Sequence, residues 1–575
     1  MSNNDLGSAC TLRKSRSMNI IFVCIVSFSA QAALCAELLS TSHNVSKLPA
    51  IQGMNARNIV KLLSGQGINV AVISSSFDTL GDAKVDVLAG HLPGEGNPHG
   101  YLQPVYVLVD MKADDEGRAM LQTVHALAPS AGLCFATGYG PTGVEGLAQR
   151  ILQLAEPPCN ADIILDDVSF FDNPYVDGPA ARAVESVVSK HNVLYVSAAG
   201  NRRFFTREFA AEFVTAAHVE QKHLRRITSI LSWTRFPDDM APTWEGFGAP
   251  IRTGPKFLKL YLWWNQPATH MVDDLNLYIF APNGTLLSQS TDANLISGQA
   301  QEVVFVPAGA EPLIAAVGLA AHRDTDSTSR GQNTPSLRLY FRVTNTYYTK
   351  VWPKSAKLHP AIWGHSAAKH TISVAAFNYW NRTKPASYSP PGPVIMFWDA
   401  DGRGLSDGKG GFGESRLKPT LAGVDCTKNS FFKTGRDRGG FNDSTPNFCG
   451  TSAAAPNVAA ILALLRQAKP SLSYDDILHL LKSQNAVWDP ISGYGLLDAD
   501  RTLCALQSFP FCTTLELADA EEKGKEDEET SSIPWATAPL YFALLCCVCC
   551  LPRLALSVMR MLLRRHRTRK PSMLM

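Results

Sequence analysis

The sequence predicts an α/β protein built on a doubly wound parallel sheet and interrupted by a β-rich insertion. Three observations carry this reading. From Asn69 onward, short apolar runs alternate with segments of helical spacing. After Phe205 the helical periodicity stops. It returns around Thr371–Ala375 and closes with an apolar helix over Ser452–Ala468. Strands alternating with helices imply parallel pairing, with ligand sites at the carboxyl ends of the strands.

The elements follow in order. Asn69–Ile73 reads as a buried strand and Glu116–Leu127 as a helix. Gly132–Thr137 is a strand, Gly143–Ala155 a helix, Asp162–Leu165 a strand, Ala180–Lys190 a helix and Val193–Ser197 a strand. These make the first part of the core domain, 69–205. Leu231–Thr349 is rich in Trp, Tyr, Val and Leu in short runs broken by Pro282-Asn283-Gly284. Leu258–Trp264, Leu275–Ile279, Glu302–Val306, Ile314–Val317 and Leu337–Thr344 read as strands, and we expect an inserted β-sandwich over 206–352. The second part of the core spans 353–508 and adds a helix at Asp475–Ser483. Insertions of this kind are tolerated where they leave the core at a loop.

The ends set the compartment. Lys14 and Arg16 precede the apolar stretch Met18–Phe28 and then small residues, the pattern of a secretory signal over 1–36 cleaved after Ala32 or Ala36. The run is short for a membrane span, which favours cleavage over a retained anchor. Residues 513–532 are an acidic stalk, and 533–552 read as a single C-terminal transmembrane helix. The basic tail 553–575, with Arg553, Arg560, Arg564 and Arg565, places that end in the cytoplasm. Cys546, Cys547, Cys549 and Cys550 are candidate palmitate sites. The expectation is a single-pass type I membrane protein with an extracellular or luminal ectodomain.

Of 13 cysteines, six lie between signal and span: Cys134, Cys159, Cys426, Cys449, Cys504 and Cys512. An even number in a secreted context suggests disulfides. Sequence neighbours would pair as 134–159, 426–449 and 504–512, among about fifteen possible connectivities. Asn44, Asn283, Asn381 and Asn442 open glycosylation sequons, compatible with secretion. Charged residues are 18% and hydrophobic residues 45% of 575, which excludes disorder over most of the chain. The 53 basic and 51 acidic residues give a net charge of +2, which offers nothing for nucleic acid.

The chemistry sits in Gly450-Thr451-Ser452-Ala453-Ala454-Ala455-Pro456. Ser452 would open a helix, where backbone N–H groups and the helix dipole favour developing negative charge. A plain N-cap serine is the other reading of this motif. The segment resembles the nucleophile signature of the subtilase superfamily of serine peptidases. Ser197–Asn201 resembles its oxyanion segment, with Asn201 as the side-chain donor. Asn69–Ser76 resembles its first strand, Lys418–Leu421 its Lys-Pro-Asp segment, and Gly493–Asp498 its Gly-x-Gly-x-x-Asp closure. The matches fall in family order, so the resemblance implies a subtilisin-like fold and polypeptide substrates, with no cofactor and no metal.

The partners of the serine depart from the usual pattern. Glu116 falls where subtilases place a histidine, and His125 lies half a turn round the same helix. A Glu beside a Ser nucleophile resembles the sedolisin branch, yet the position four residues on is Met120 rather than Asp. The aspartate expected after the first strand is Ser75. Two acids remain as substitutes: Asp78, which also reads as a turn residue, and Asp167, which also reads as a loop cap. Asn457 replaces a usual histidine and is expected to affect packing. Asp273 and Asp274 could ligate Ca²⁺, but a solvated strand edge is the favoured reading.

These residues imply a membrane-anchored serine endopeptidase. Ser452 attacks the carbonyl, Glu116 accepts its proton, and Asn201 with the Ser452 N–H binds the oxyanion. A carboxylate base places activity at mildly acidic pH. The competing reading is a pseudopeptidase kept as a binding ectodomain, because of Ser75. A structural adhesin is disfavoured by the completeness of the peptidase segments.

Overall fold

Within residues 47–513, the computed structural model describes all but 204, 253–256, 309–311, 324–335, 345–357, 433–446, 486 and 508. The signal segment, Asn44, Asn442, the stalk beyond residue 513, the span at 533–552 with its cysteines, and the basic tail lie outside the described residues. Among the described residues no helix is long and apolar enough to cross a membrane. Residues 1–507 form one unit; of the second, 508–575, only 509–513 are described.

The apolar runs become strands because both of their faces are covered. β1 (Asn69–Ser74), β2 (Tyr106–Val109), β3 (Gly132–Thr137), β4 (Ile163–Asp166) and β5 (Leu194–Ala198) join Thr371–Asn378 and Leu421–Asp425 in one seven-stranded sheet. The order is Leu421–Asp425, Thr371–Asn378, β5, β4, β1, β3, β2, and every pairing is parallel. β1 is central: Val70 pairs with Leu133 on one side and Ile163 on the other. β2, at the edge, is half-exposed and lacks the apolar signature of the others.

Alternation along the strands divides the two faces. Ala71, Ile73, Cys134 and Ala136 face helices Gly143–Leu154 and Pro179–His191, whose Leu147, Ile151, Val184 and Val187 fill that side. Phe135 points the other way, onto Gly117 of the helix Glu116–Leu127. That helix packs against Thr451–Ala468, which is buried from Thr451 to Arg466. A helix apolar all round belongs in the interior. Asn457 ties it to the sheet, donating to Val424 O at 2.8 Å and Ala453 O at 3.1 Å.

Two short helices, Lys47–Gly53 and Ile59–Leu62, belong to this core. Asp500 accepts hydrogen bonds from the Asn58 and Ile59 N–H groups at 3.0 and 2.8 Å. The helix expected near 475 runs Tyr474–Gln484 behind a Ser473/Asp476 capping box.

The insertion forms two antiparallel sheets. One has the order Gln301–Val306, Leu258–Trp264, Arg338–Thr344, Thr206–Ala210. The other has Leu286–Ser290, Asp273–Phe280, Leu313–His322, Ser232–Arg235, Glu212–Thr215, with Ala249–Ile251 also on Leu313–His322. Leu258, Leu260, Leu262 and Trp264 share one core with Leu275, Leu277, Ile279, Ala315 and Val317 of the second sheet. The opposite face of the first sheet presents Tyr261, Trp263 and Tyr340, which cluster with Tyr175, Phe397 and Trp398 of the α/β part. Trp398 Nε1 donates to Asn265 O at 2.9 Å across this seam.

Disulfides join Cys134 to Cys159 and Cys426 to Cys449, and Cys504 and Cys512 are also disulfide-bonded. The Asn283 and Asn381 sequons lie in exposed turns.

Candidate active site

Three serines at the end of β1 each face a different carboxylate. Ser75 Oγ donates to Asp114 at 2.6 Å, and Ser76 Oγ to Asp115 at 2.7 Å. The buried Ser74 hydroxyl lies against Asp167. Asp115 is fully buried with a left-handed backbone, φ 60°, a conformation Asp tolerates better than most residues. Its carboxylate also accepts from Thr79 N–H at 2.9 Å, Thr79 Oγ1 at 2.8 Å and Leu80 N–H at 3.0 Å. Burial opposes the charge, but these bonds outweigh it and hold the Asp115 carboxyl below its usual range. Arg118 completes the anchor, bonding Asp86 and reaching Asp115 at 3.3 Å. The loop after β1 is thereby fastened to the first turn of Glu116–Leu127, where Glu116 stands. Gly117 permits the approach: a Cβ there would sit 2.8 Å from Ser76 O and 2.3 Å from Phe135.

The Glu116 carboxyl interacts with both Asp167 and Ser452. Burial and then the charge of Asp114 raise its pKa, and those two interactions pull it back in part. Asp167, just past the end of β4, lies well above the usual carboxylate range through burial and the Glu116 charge. Two carboxyls in contact cannot both ionise readily, so they share a proton. Both carboxyls are shifted upward, Asp167 the further of the two. Asp166, one residue earlier, belongs to a separate network. It accepts from His365 Nε2 at 2.8 Å and Ser197 Oγ at 3.1 Å.

Asn201 is oriented by Thr451. Its Oδ1 accepts from Thr451 N–H at 2.9 Å and Thr451 Oγ1 at 3.1 Å, and Thr451 Oγ1 accepts from Gly200 N–H at 3.0 Å. The Asn201 Nδ2 is left to donate. Gly450, at φ 137°, allows this, since a Cβ there would come 3.1 Å from Asn201 Nδ2. Ser452 is the second residue of its helix, where backbone N–H groups lack intrahelical acceptors. Asn201 and Ser452 line the same cavity.

Beside these groups opens a cavity of about 420 Å³. Asp167–Ser169, Ala198–Arg202 and Ser452 form one side, and Tyr139, Trp363 and Arg342 line the rest.

The structure thus brings together Ser452, Glu116, Asn201 and Asp167, but not Asp78. Asp78 is exposed, and its carboxylate accepts the Ala83 N–H at 2.9 Å, ahead of the helix Ala83–Leu88. It is a turn residue, because the loop after β1 bends towards Asp110 and Asp115 rather than towards Ser452. His125 is buried edge-on against Tyr101, and Met120 is buried in the core. Asp273 bonds His322 at 2.6 Å, and no acidic or His/Cys cluster able to hold a metal occurs among the described residues. Sequence reasoning missed Asp115 and Arg342. An aspartate before the helix and an arginine inside an apolar strand were the available signals.

Residues 343–495 match the family model described as the subtilase family. No curated protein matches the chain. Among solved structures, the Clostridium perfringens CspB protease is 15% identical over 80% of this chain and 97% of its own, with a TM-score of 0.47. A lanthipeptide protease is 14% identical over 81% and 96%, with a TM-score of 0.36. A Pseudoalteromonas arctica protease is 13% identical over 81% and 98%, with a TM-score of 0.35.

Proposed function

We propose that the chain is a serine peptidase in which Ser452 is the nucleophile, Glu116 its general base and Asp167 the acid that orients and tunes Glu116. The observation that carries this reading is the contact of Glu116 with both Ser452 and Asp167. Ser452 Oγ attacks the peptide carbonyl as its proton passes to Glu116. The oxyanion accepts from Asn201 Nδ2 and the Ser452 N–H. Glu116 returns the proton to the leaving nitrogen, and water releases the acyl group by the same route reversed. Asp167 replaces the third member that Ser75 cannot supply, entering from β4 instead of β1. This chemistry is closer to the sedolisin-like pattern than to a histidine triad.

The two-sheet insertion is read here as a β-sandwich module, and an internal bond of a polypeptide as the scissile one. The signal pattern at 1–36 and the apolar run at 533–552 support anchoring in a secretory-pathway membrane, with the peptidase outside the cytoplasm.

The test is labelling of the full-length protein with a fluorophosphonate probe from about pH 3 to pH 8. The expected result is labelling that disappears in Ser452→Ala, falls about 10²–10⁴-fold in rate in Glu116→Gln, and peaks at mildly acidic pH. A folded chain that labels at no pH would return the pseudopeptidase reading.

A further inference from the structure

The strand Arg338–Thr344 alternates strictly. Leu339, Phe341 and Val343 enter the core between the two inserted sheets. Tyr340 and Arg342 face the α/β part. Arg342 is 3% exposed and lines the cavity that also holds Ser452 and Asn201. Its guanidinium stacks 3.6 Å over Trp363 and 4.5 Å over Phe171. Among the described residues no carboxylate pairs with it, and its buried Nε has no hydrogen-bond partner. The charged residue nearest it in effect is another cation, Arg202, which lines the same cavity.

A buried guanidinium without a counterion is costly, and proteins ordinarily pair one. Planar stacking on aromatic rings fixes its orientation and leaves its edge for a forked acceptor. Once a carbonyl carbon sits at Ser452 with its oxygen on Asn201, the side chain on its acyl side has this cavity beside it. We propose that the cavity selects a substrate residue with a side-chain carboxylate, Glu or Asp, immediately before the scissile bond, and that Arg342, contributed by the insertion, is the specificity-determining residue. The inference rests on the peptidase reading above for its orientation but not for the binding itself. Asp167 also lines the cavity, where burial and the Glu116 charge raise its pKa and so disfavour a second negative charge beside the incoming acid.

The test uses the full-length protein and two arms. The first compares kcat/KM for internally quenched peptides, amidated at the C-terminus, that differ only in Glu or Gln before the cleaved bond. The expected preference for Glu is at least ~10-fold, the scale of one charge-assisted hydrogen bond. It should fall towards unity in Arg342→Met and be partly retained in Arg342→Lys. The second arm measures binding of acetylated peptide amides ending in Glu or Gln to Ser452→Ala by Trp363 fluorescence, and needs no turnover. Tighter binding of the Glu peptide, lost in the Arg342→Met background, supports the proposal even if the fluorophosphonate probe finds Ser452 inert. Equal binding and equal cleavage of the two peptides, or a preference unchanged by Arg342→Met, would overturn it. The amidated ends ensure that a terminal carboxylate cannot supply the charge.

Discussion

On the proposed mechanism, the pair Glu116–Asp167 sets the pH dependence of the site. Glu116 must be ionised to act as a base, and burial with the Asp114 charge raises its pKa. The base form is therefore lost as pH falls through a value above the ordinary glutamate range. Burial and the Glu116 charge raise the Asp167 pKa well above its usual value, and its ionisation would place a second charge beside the first. The profile of kcat/KM should be a bell whose limbs belong to the pair rather than to either residue. Asp167→Asn keeps a donor to Glu116 but cannot ionise, so the upper limb should vanish while the lower one stays. Asp114→Asn should move the lower limb to more acid pH. That shift should be less than about one unit, because the Asp114 charge is exposed and screened. Rate profiles of the two variants against wild type check both, and an unmoved upper limb in Asp167→Asn would remove Asp167 from the base. The sequence singled out Glu116 from its place in a family-like motif, and the structure sets it beside Ser452. Asp167 could be named only as one of two acids, because its role depends on the β4 end facing a helix that starts fifty residues earlier in the chain.

At the scale of elements, the first turn of Glu116–Leu127 is held by the loop that follows β1. Asp115 satisfies Ser76, the Thr79 N–H and hydroxyl, and the Leu80 N–H at once, and receives Arg118. Asp115→Ala would leave those donors without their acceptor and Arg118 with Asp86 as its remaining carboxylate, in a backbone conformation that Ala tolerates poorly. The expected loss is about 3–5 kcal/mol in denaturant unfolding. Asp115→Asn keeps one acceptor oxygen and tolerates φ 60°, so it should cost roughly half as much. Equal losses would show that the backbone conformation, not the carboxylate, sets the helix start. Elements with both faces buried, such as β1, β3 and the helix closing on Ala468, were plain in the apolar pattern. The edge strand Tyr106–Val109 was not, because one covered flank and two exposed residues leave no period to read. Asp78 misled for a related reason. Sequence distance places it near the β1 end, but the bend of the loop is set by carboxylates thirty residues further on.

At the scale of the molecule, the insertion lines the cavity beside Ser452 through Arg342. Its first sheet buries one face in its own core and the other against the α/β part, so the two layers share the strands Leu258–Trp264 and Arg338–Thr344. The sequence marked the insertion by the loss of helical periodicity but not its seating, since an aromatic alternating with leucine reads the same in any two-sided sheet. Arg342 is the exception in that pattern, a charge where Leu-Tyr-Phe-Val would otherwise run, and a charge on a buried strand face needs a reason. If the seam is structural, the described core should unfold as one cooperative unit rather than as two. Trp263, fully buried in the seam and stacked on Tyr261 at 5.2 Å, is the residue to probe. Trp263→Ala should cost about 3–5 kcal/mol. It should also lower kcat/KM for Glu-containing peptides more than for Gln-containing ones, because the sheet that carries Arg342 loses its seat. Calorimetry checks the first point: a single transition shifted downward fits a shared core. A second transition appearing in wild type, with the Glu preference unaffected by Trp263→Ala, would mean that the insertion folds apart and that Arg342 is positioned by its aromatic stack alone.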